Sequence, residues 1–453
     1  MGRAEQHRNW VGGIDCRIAS ALLAVSLGLL AAAAQAETLS VLHTFSGGRD
    51  GATPYAGLTM DRAGNLYGTA SAGGAGHGTV FKLAHGGSGW TFSPLYSFQG
   101  TFSQDGAVPL AALTLGPDGS LYGTTELGGA DACTPQMGCG TVFNLKPPPT
   151  RPVSAFSSWD ETVLYRFTPS YPYLDGVYPY GEVVFDAAGN IYGTDSEGGL
   201  GGGSHDCDPG GPCGPCDPYC GTVFQMTRSG NSWTESVIHN FTALATGAYP
   251  ESGLVVDPAG NLYGTTSMGG DCGVGTVFEM TPPGSGWTLN TIGGFCAFND
   301  GGTPYGTPLL DSSGNLYGGT LGVRPGYGTA LPGSAFSLTA SDGGWNFNLL
   351  YTFSPDGQGV AGSLSMDAAG NLYGTTIGGG MLGGACGATG CGTVFKLQPS
   401  EGGWTYSDLY KFTGGNDGST PYSRVVFDPS GNLYGTTSAG GANGLGTVWE
   451  LTP

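Results

Sequence analysis

A chain of 453 residues with 88 Gly and 29 Pro is not built mainly of helices, because neither residue suits a helix interior. Only 11% of residues are charged, which sets it apart from solvated, highly charged tails, while 22 Tyr and 20 Phe supply material for a core. The formal net charge of −20 argues against binding nucleic acid or an anionic membrane surface, where Lys and Arg must neutralise phosphates.

At the N-terminus, Arg3, Arg8 and Arg17 precede an apolar run from Ile18 to Ala34 that ends in Ala34-Gln35-Ala36. This is the layout of a secretory signal peptide, so residues 1–36 are expected to be cleaved and residues 37–453 exported. The run is rich in Ala and short for a membrane span, and no later segment is apolar enough to cross a bilayer. Setting Cys16 aside leaves ten of the 11 cysteines, an even number that suits disulfides in an oxidising compartment.

From Thr38 onward the chain repeats itself. Leu/Ile-Tyr-Gly recurs with Tyr67, Tyr122, Tyr192, Tyr263, Tyr317, Tyr373 and Tyr434, at intervals of 55, 70, 71, 54, 56 and 61 residues. The last copy is the cleanest: Asp417-Gly-Ser-Thr-Pro421-Tyr, Val425-Val-Phe-Asp428, Gly431-Asn-Leu-Tyr-Gly-Thr-Thr437 and Gly446-Thr-Val-Trp-Glu-Leu451. It predicts a first strand at Val425–Asp428, an Asp-Pro-Ser-Gly-Asn turn, then strands at Asn432–Thr437 and Gly446–Leu451. A fourth strand lies between copies, as in Trp90–Phe98, Trp233–Phe241 and Trp404–Phe412. Seven such units are the sequence form of an all-β, seven-bladed β-propeller with four-stranded blades. The lone strand Thr38–Phe45 is expected to pair in the last blade and close the ring.

The recurring Gly-Asn-Leu-Tyr-Gly-Thr-Thr-x-x-Gly-Gly and Gly-Thr-Val-Phe resemble the Gloeo/Verruco tandem repeat of exported bacterial proteins, from Thr38 to Pro453. The resemblance implies repeat architecture and export, and brings no activity with it.

The loop entering each first strand shares one face with the loop joining the second and third strands. The entering loop carries Asp50, Asp105, Asp175, Asp300, Asp356 and Asp417, with Thr246 in the fourth copy, and a post-proline Tyr at Tyr55, Tyr180, Tyr305 and Tyr422. Six carboxylates and four phenols around one mouth suit a cation, an amine or a sugar; alternatively each Asp caps its own turn and each Tyr packs between blades. The Asp-x-x-Gly-Asn turn lacks the alternate acidic ligands and closing Glu of a calcium loop, and reads as structural. Trp90, Trp159, Trp233, Trp287, Trp345 and Trp404 open the fourth strands and read as packing at the blades' outer edge. His43 and His239 take a fourth-strand slot that is Tyr elsewhere, and no triad or histidine metal site stands out.

Disulfides are expected at Cys133–Cys139, Cys272–Cys296 and Cys386–Cys391, with two more among Cys207, Cys213, Cys216 and Cys220; zinc is the alternative for those four. The longest departure from the repeat runs from Gly198 to Cys220. A binding site is therefore expected at the third copy, from Asp175, Tyr178, Tyr180, Asp206, Asp208, Asp217 and Tyr219, where carboxylates stand beside aromatic surfaces. The leading expectation is a secreted or periplasmic binding or scaffold module for a glycan or an envelope protein, monomeric and without a cofactor. A hydrolase or lyase working in the central funnel, and a purely structural envelope protein, are the alternatives.

Overall fold

The computed structural model describes residues 37–452 apart from 88, 131–132, 134–136, 149–158, 169–174, 200–219, 242–245, 283–285, 297–299, 323–331, 342–343 and 354–358. The expected leader 1–36, Asp356, and Cys207, Cys213 and Cys216 lie outside the described residues.

Each repeat copy forms one antiparallel sheet, its strands ordered outward from a central channel. In blade 1 they are Thr59–Met60, Leu66–Ala70, Thr79–Gly86 and Gly89–Ser97. The second strands of blades 2 to 6 are Leu121–Thr125, Ile191–Gly198, Leu262–Thr266, Leu316–Thr320 and Leu372–Thr376. Blade 7 has Val426–Phe427, Leu433–Thr437 and Thr447–Thr452, and its fourth strand is Thr38–Thr44, with Thr38 opposite Thr452. The fold is an all-β, seven-bladed propeller of four-stranded blades. Blade 3 carries an extra strand, Gly176–Pro179, on its second strand. Third and fourth strands pair through a register shift at one place in every blade, as between Val80 and Phe81, and such a bulge strengthens the local twist.

The apolar core is divided among the gaps between blades. Between blades 7 and 1, Phe45, Leu58, Leu66, Phe81, Tyr434 and Val448 form one buried cluster. Between blades 1 and 2, Tyr67, Val80, Phe98, Leu113, Leu121 and Phe143 form the next. The opening Trp residues belong to these gaps: Trp90 meets Tyr434, Trp159 meets Tyr67, Trp287 meets Tyr192 and Trp345 meets Tyr263, all edge to face across two blades. They pack as expected, on the preceding blade.

The recurring turn ties its own residues together. Asp61 accepts the Ala63 and Asn65 backbone N–H groups, the Asn65 amide and the Tyr67 hydroxyl, at 2.7–3.0 Å. Asp186, Asp257, Asp311, Asp367 and Asp428 do the same. With its lone pairs engaged inside the turn, each carboxylate is structural.

A second recurring joint links one blade to the next. The residue before the proline has a left-handed backbone at Thr53, Val108, Tyr178, Tyr249, Thr303 and Thr420, with φ between 55° and 60°. Its N–H donates to the preceding blade: Thr53 to Leu445 O, Val108 to His77 O, Tyr178 to Cys139 O, Tyr249 to Cys220 O, Thr303 to Val274 O and Thr420 to Cys391 O. The glycine that follows each acceptor lies so close to the next proline that a Cβ would collide with it, as Gly78 does with Pro109 and Gly446 with Pro54. Ser71, Ser196, Ser267 and Ser438 donate their hydroxyls to the pre-proline carbonyls of their own blades.

The disulfides Cys133–Cys139, Cys272–Cys296 and Cys386–Cys391 are present, as expected from the sequence, and such bonds belong to an oxidising environment. Cys220 is buried. Among the described residues no helix is long and apolar enough to cross a membrane.

Phe45 is fully buried against Phe81 and Phe92 although it follows a terminal strand. Phe45→Ala is expected to cost about 3–5 kcal/mol in urea unfolding; a loss under about 1 kcal/mol would mean that this segment is not docked.

Candidate functional site

The pre-proline joint aims the post-proline residue at the channel. In copies one to seven that slot holds Tyr55, Leu110, Tyr180, Glu251, Tyr305, Ala361 and Tyr422, and all seven line one cavity of about 330 Å³. This lies at the lower end of the ~300–1,000 Å³ usual for small-molecule sites. Two residues further on, Glu182 and Arg424 also line it. Arg424 Nη1 donates to Glu182 Oε1 at 2.9 Å, an ion pair that joins blades 7 and 3 across the channel. Gly57 and Gly253 leave room for it, since a Cβ at either would strike the Arg424 or Glu182 side chain.

The wall is aromatic and acidic. The Tyr55 and Tyr422 rings stand 5.0 Å apart, tilted by 59°. Glu251 bonds to Tyr305 and Ser267, yet its Oε2 is buried without a hydrogen bond. Burial, opposed by those two bonds and reinforced by Glu197 and Glu126, pushes the Glu251 carboxyl up to about 7. Burial likewise raises Glu126, beside Glu197, and Glu197 itself. Tyr180 is raised by burial and then by Glu251, Glu126, Tyr305 and Tyr422, so these groups share one field.

Of the described residues among those expected at the third copy, Tyr180 alone lines the channel cavity. Asp175 accepts the Tyr165 hydroxyl at 2.8 Å and that of Thr168 at 3.3 Å, so it serves the joint between blades 2 and 3. Tyr178 is the half-buried, left-handed residue of that joint. Asp206, Asp208, Asp217 and Tyr219 lie outside the described residues. The other loop carboxylates also cap: Asp105 takes Tyr96 and the Gln99 N–H, Asp417 takes Tyr410 and the Thr413 N–H, and Asp50 takes His43 and the Ser46 N–H. Where Thr246 replaces Asp, the opposing slot holds His239, whose Nε2 is buried without a partner and which burial pushes down to about 4. Sequence reasoning passed over Glu251, Glu182, Arg424, Glu126 and Glu197. Their signal was available as departures from the other copies in aligned slots. Among the described residues no cluster is arranged to hold a metal ion.

The model of the Gloeobacter/Verrucomicrobia repeat matches residues 27–205, 216–385 and 297–453. The chain belongs to this repeat family. No curated protein matches it in sequence. Solved structures similar to it include a putative oxidoreductase (glucose dehydrogenase) from Thermus thermophilus, at 13% identity over 92% of this chain and 100% of that one, with a TM-score of 0.40. Others are an ancestral GH74 enzyme (10% identity, 85% of this chain and 56% of that one, TM-score 0.46) and the polysaccharide lyase Uly1 (11%, 88% and 89%, TM-score 0.47).

Within this Gloeobacter/Verrucomicrobia repeat array, blades 2 and 3 place carboxyls where other copies have none. Asp195 takes the slot of Thr125, Thr266, Thr320, Thr376 and Thr437; it is fully buried, accepts the Thr222 hydroxyl at 2.7 Å, and leaves Oδ1 unpartnered. Burial, with Glu235 and Asp175 adding to it against the Thr222 bond, raises Asp195 well above the ordinary range. Burial also lifts Glu161 and Glu235 to about 7, helped by Asp105 and Asp175 respectively. A carboxyl raised by folding stabilises below its unfolded pKa, and that contribution is lost as pH rises through the folded value. The turn aspartates act in the opposite sense. Burial alone would raise Asp61, but its bonds from Asn65, Tyr67 and Ala63 outweigh it and hold the group low, so its contribution is lost only in acid. Melting temperature is therefore expected to fall between about pH 5 and pH 8.5. Asp195→Thr should flatten that slope by stabilising at the upper end; an unchanged slope would show that Asp195 does not drive it.

Proposed function

We propose that this is an exported binding module, secreted or periplasmic, that seats a glycan in the mouth of its channel. The observation that carries the reading is the ring of four phenols and one proton-holding carboxyl around the 330 Å³ cavity. Phenol rings offer flat faces to sugar C–H groups, and their hydroxyls, with Glu251, offer both donors and acceptors. Two features support it. The side chains that face the channel vary from copy to copy, as a site for an asymmetric ligand requires, and the three disulfides suit an exported protein.

A second reading rests on Glu251. A carboxyl that keeps its proton near neutrality suits a general acid, which a glycan hydrolase or lyase would need. A glycosidase also needs a second carboxylate across the scissile bond, and Glu182, on the adjoining blade, is engaged by Arg424. Binding is therefore the reading we favour.

A glycan array of the protein, of Tyr180→Leu/Tyr305→Leu, and of a variant whose residues 201–219 are replaced by the short fourth-copy loop tests this. The double variant is expected to bind at least about tenfold more weakly. Equal binding by the double variant would remove the funnel seat, and equal binding by the loop variant would remove Asp206, Asp208, Asp217 and Tyr219 from the contact. No binding by the parent protein would favour the structural reading, and new reducing ends or unsaturated products would favour the enzyme.

A further inference from the structure

We infer that the ligand of the funnel carries an ammonium group, as an amine-bearing sugar, held over the phenol faces of Tyr180, Tyr305 and Tyr422 and against the Glu251 carboxylate. This rests on the glycan reading and narrows it.

The argument begins with which charges are uncommitted. Arg424 is the sole base among the described residues lining the cavity, and it is held by Glu182. A uronate carboxylate could meet Arg424 only beside the Glu182 carboxylate that already neutralises it. Glu251 faces Ser267 of its own blade, Tyr305 of blade 5, Tyr180 and Glu197 of blade 3, and Glu126 of blade 2. Every ionisable group in that set is acidic or phenolic. Its Oε2 is buried without a hydrogen bond, so the protein itself leaves part of this carboxyl's charge uncompensated.

The aromatic wall completes the seat. Tyr rings present negative faces, and a cation within about 6 Å of such a face is attracted, most strongly where water is excluded. Four phenols converge on the cavity, with Tyr55 and Tyr422 at 5.0 Å. Against ionised Glu251, an N-acetyl group in the same place would bring a carbonyl oxygen towards the carboxylate and supply no counter-charge. The net charge of −20 draws cations to the molecule as a whole.

Protonation supplies a signature. Glu251 is neutral in acid, so an ammonium ligand selects its ionised form and releases a proton on binding. Affinity should rise with pH, provided that the ligand's own charge does not titrate.

Isothermal titration calorimetry with four probes tests the inference near pH 6: glucosamine oligomers, N-acetylglucosamine oligomers, oligoglucuronate and putrescine. Glucosamine oligomers are expected to bind at least about tenfold more tightly than each of the others. Equal binding of the N-acetylated oligomer, or tighter binding of oligoglucuronate, would overturn the ammonium inference and leave the glycan reading standing. Putrescine binding as tightly as the amino sugar would keep the ammonium and remove the sugar. No binding by any probe would overturn both. With an N-trimethylated glucosamine oligomer, whose charge is permanent, affinity should rise about tenfold between about pH 5.5 and 8. Glu251→Gln should abolish that rise, and its persistence in this variant would count against Glu251. Tyr180→Phe keeps the ring and should retain binding, while Tyr180→Leu should lose it; equal losses would show that the hydroxyl, not the face, is used.

Discussion

The joint between blades is the constraint on which the molecule depends. Inner strands of two residues give the channel wall little ladder of its own. What fixes the wall is a left-handed residue before a proline, at a cost of about 1–3 kcal/mol per copy. The cost is offset by an N–H bond to the neighbouring blade, by Thr hydroxyls that reach the same turn, such as Thr436 to Ala56 O and Thr124 to Gly181 O, and by the buried clusters on either side. The same turn leaves the next side chain no direction except towards the axis. The candidate site is therefore a by-product of the device that joins the sheets.

Seven copies act as internal controls on one another. A residue that recurs with its partner, such as the turn Asp with its Tyr, is explained by the fold. A residue that departs needs another account. Glu161 and Glu235 occupy a slot that is Leu39, Phe92, Leu289, Phe347 or Tyr406 elsewhere, and Asp195 replaces a Thr that pairs with another hydroxyl in its siblings. These departures gather in blades 2 and 3, the blades that also carry Glu126, Glu197 and Tyr180. The sixth copy departs differently: Val360 and Ala361 replace Pro and Tyr, and Gly319 of blade 5 replaces the Thr that would reach across.

The architecture was legible in the sequence because it is written seven times. Strand number, turn chemistry and the three local cysteine pairs all follow from residues close together in the chain. The candidate site was legible only in part. Tyr55, Tyr180, Tyr305 and Tyr422 stand out because they repeat, whereas Glu251 and Arg424 were hidden because each occurs once in its slot. The Arg424–Glu182 pair joins residues 242 apart in the chain, and no local pattern reports a contact across a ring. Asp175 shows the converse. A carboxylate near an aromatic residue looks like a ligand seat in the sequence, and in the fold its Oδ2 is engaged by Tyr165 and Thr168.

The Arg424–Glu182 pair also shows how structure and recognition divide the work. Withdrawing two charges from water into a channel wall returns little net stability, because desolvation consumes most of the attraction. Its value is geometric. It braces blade 7 against blade 3 and neutralises Arg424, the one base among the described residues lining the cavity. With the positive charge neutralised in place, the carboxyls that act on Tyr180 are Glu251 and Glu126. The fold supplies seven equivalent positions around the axis; a few single-copy substitutions give that symmetric ring a sign.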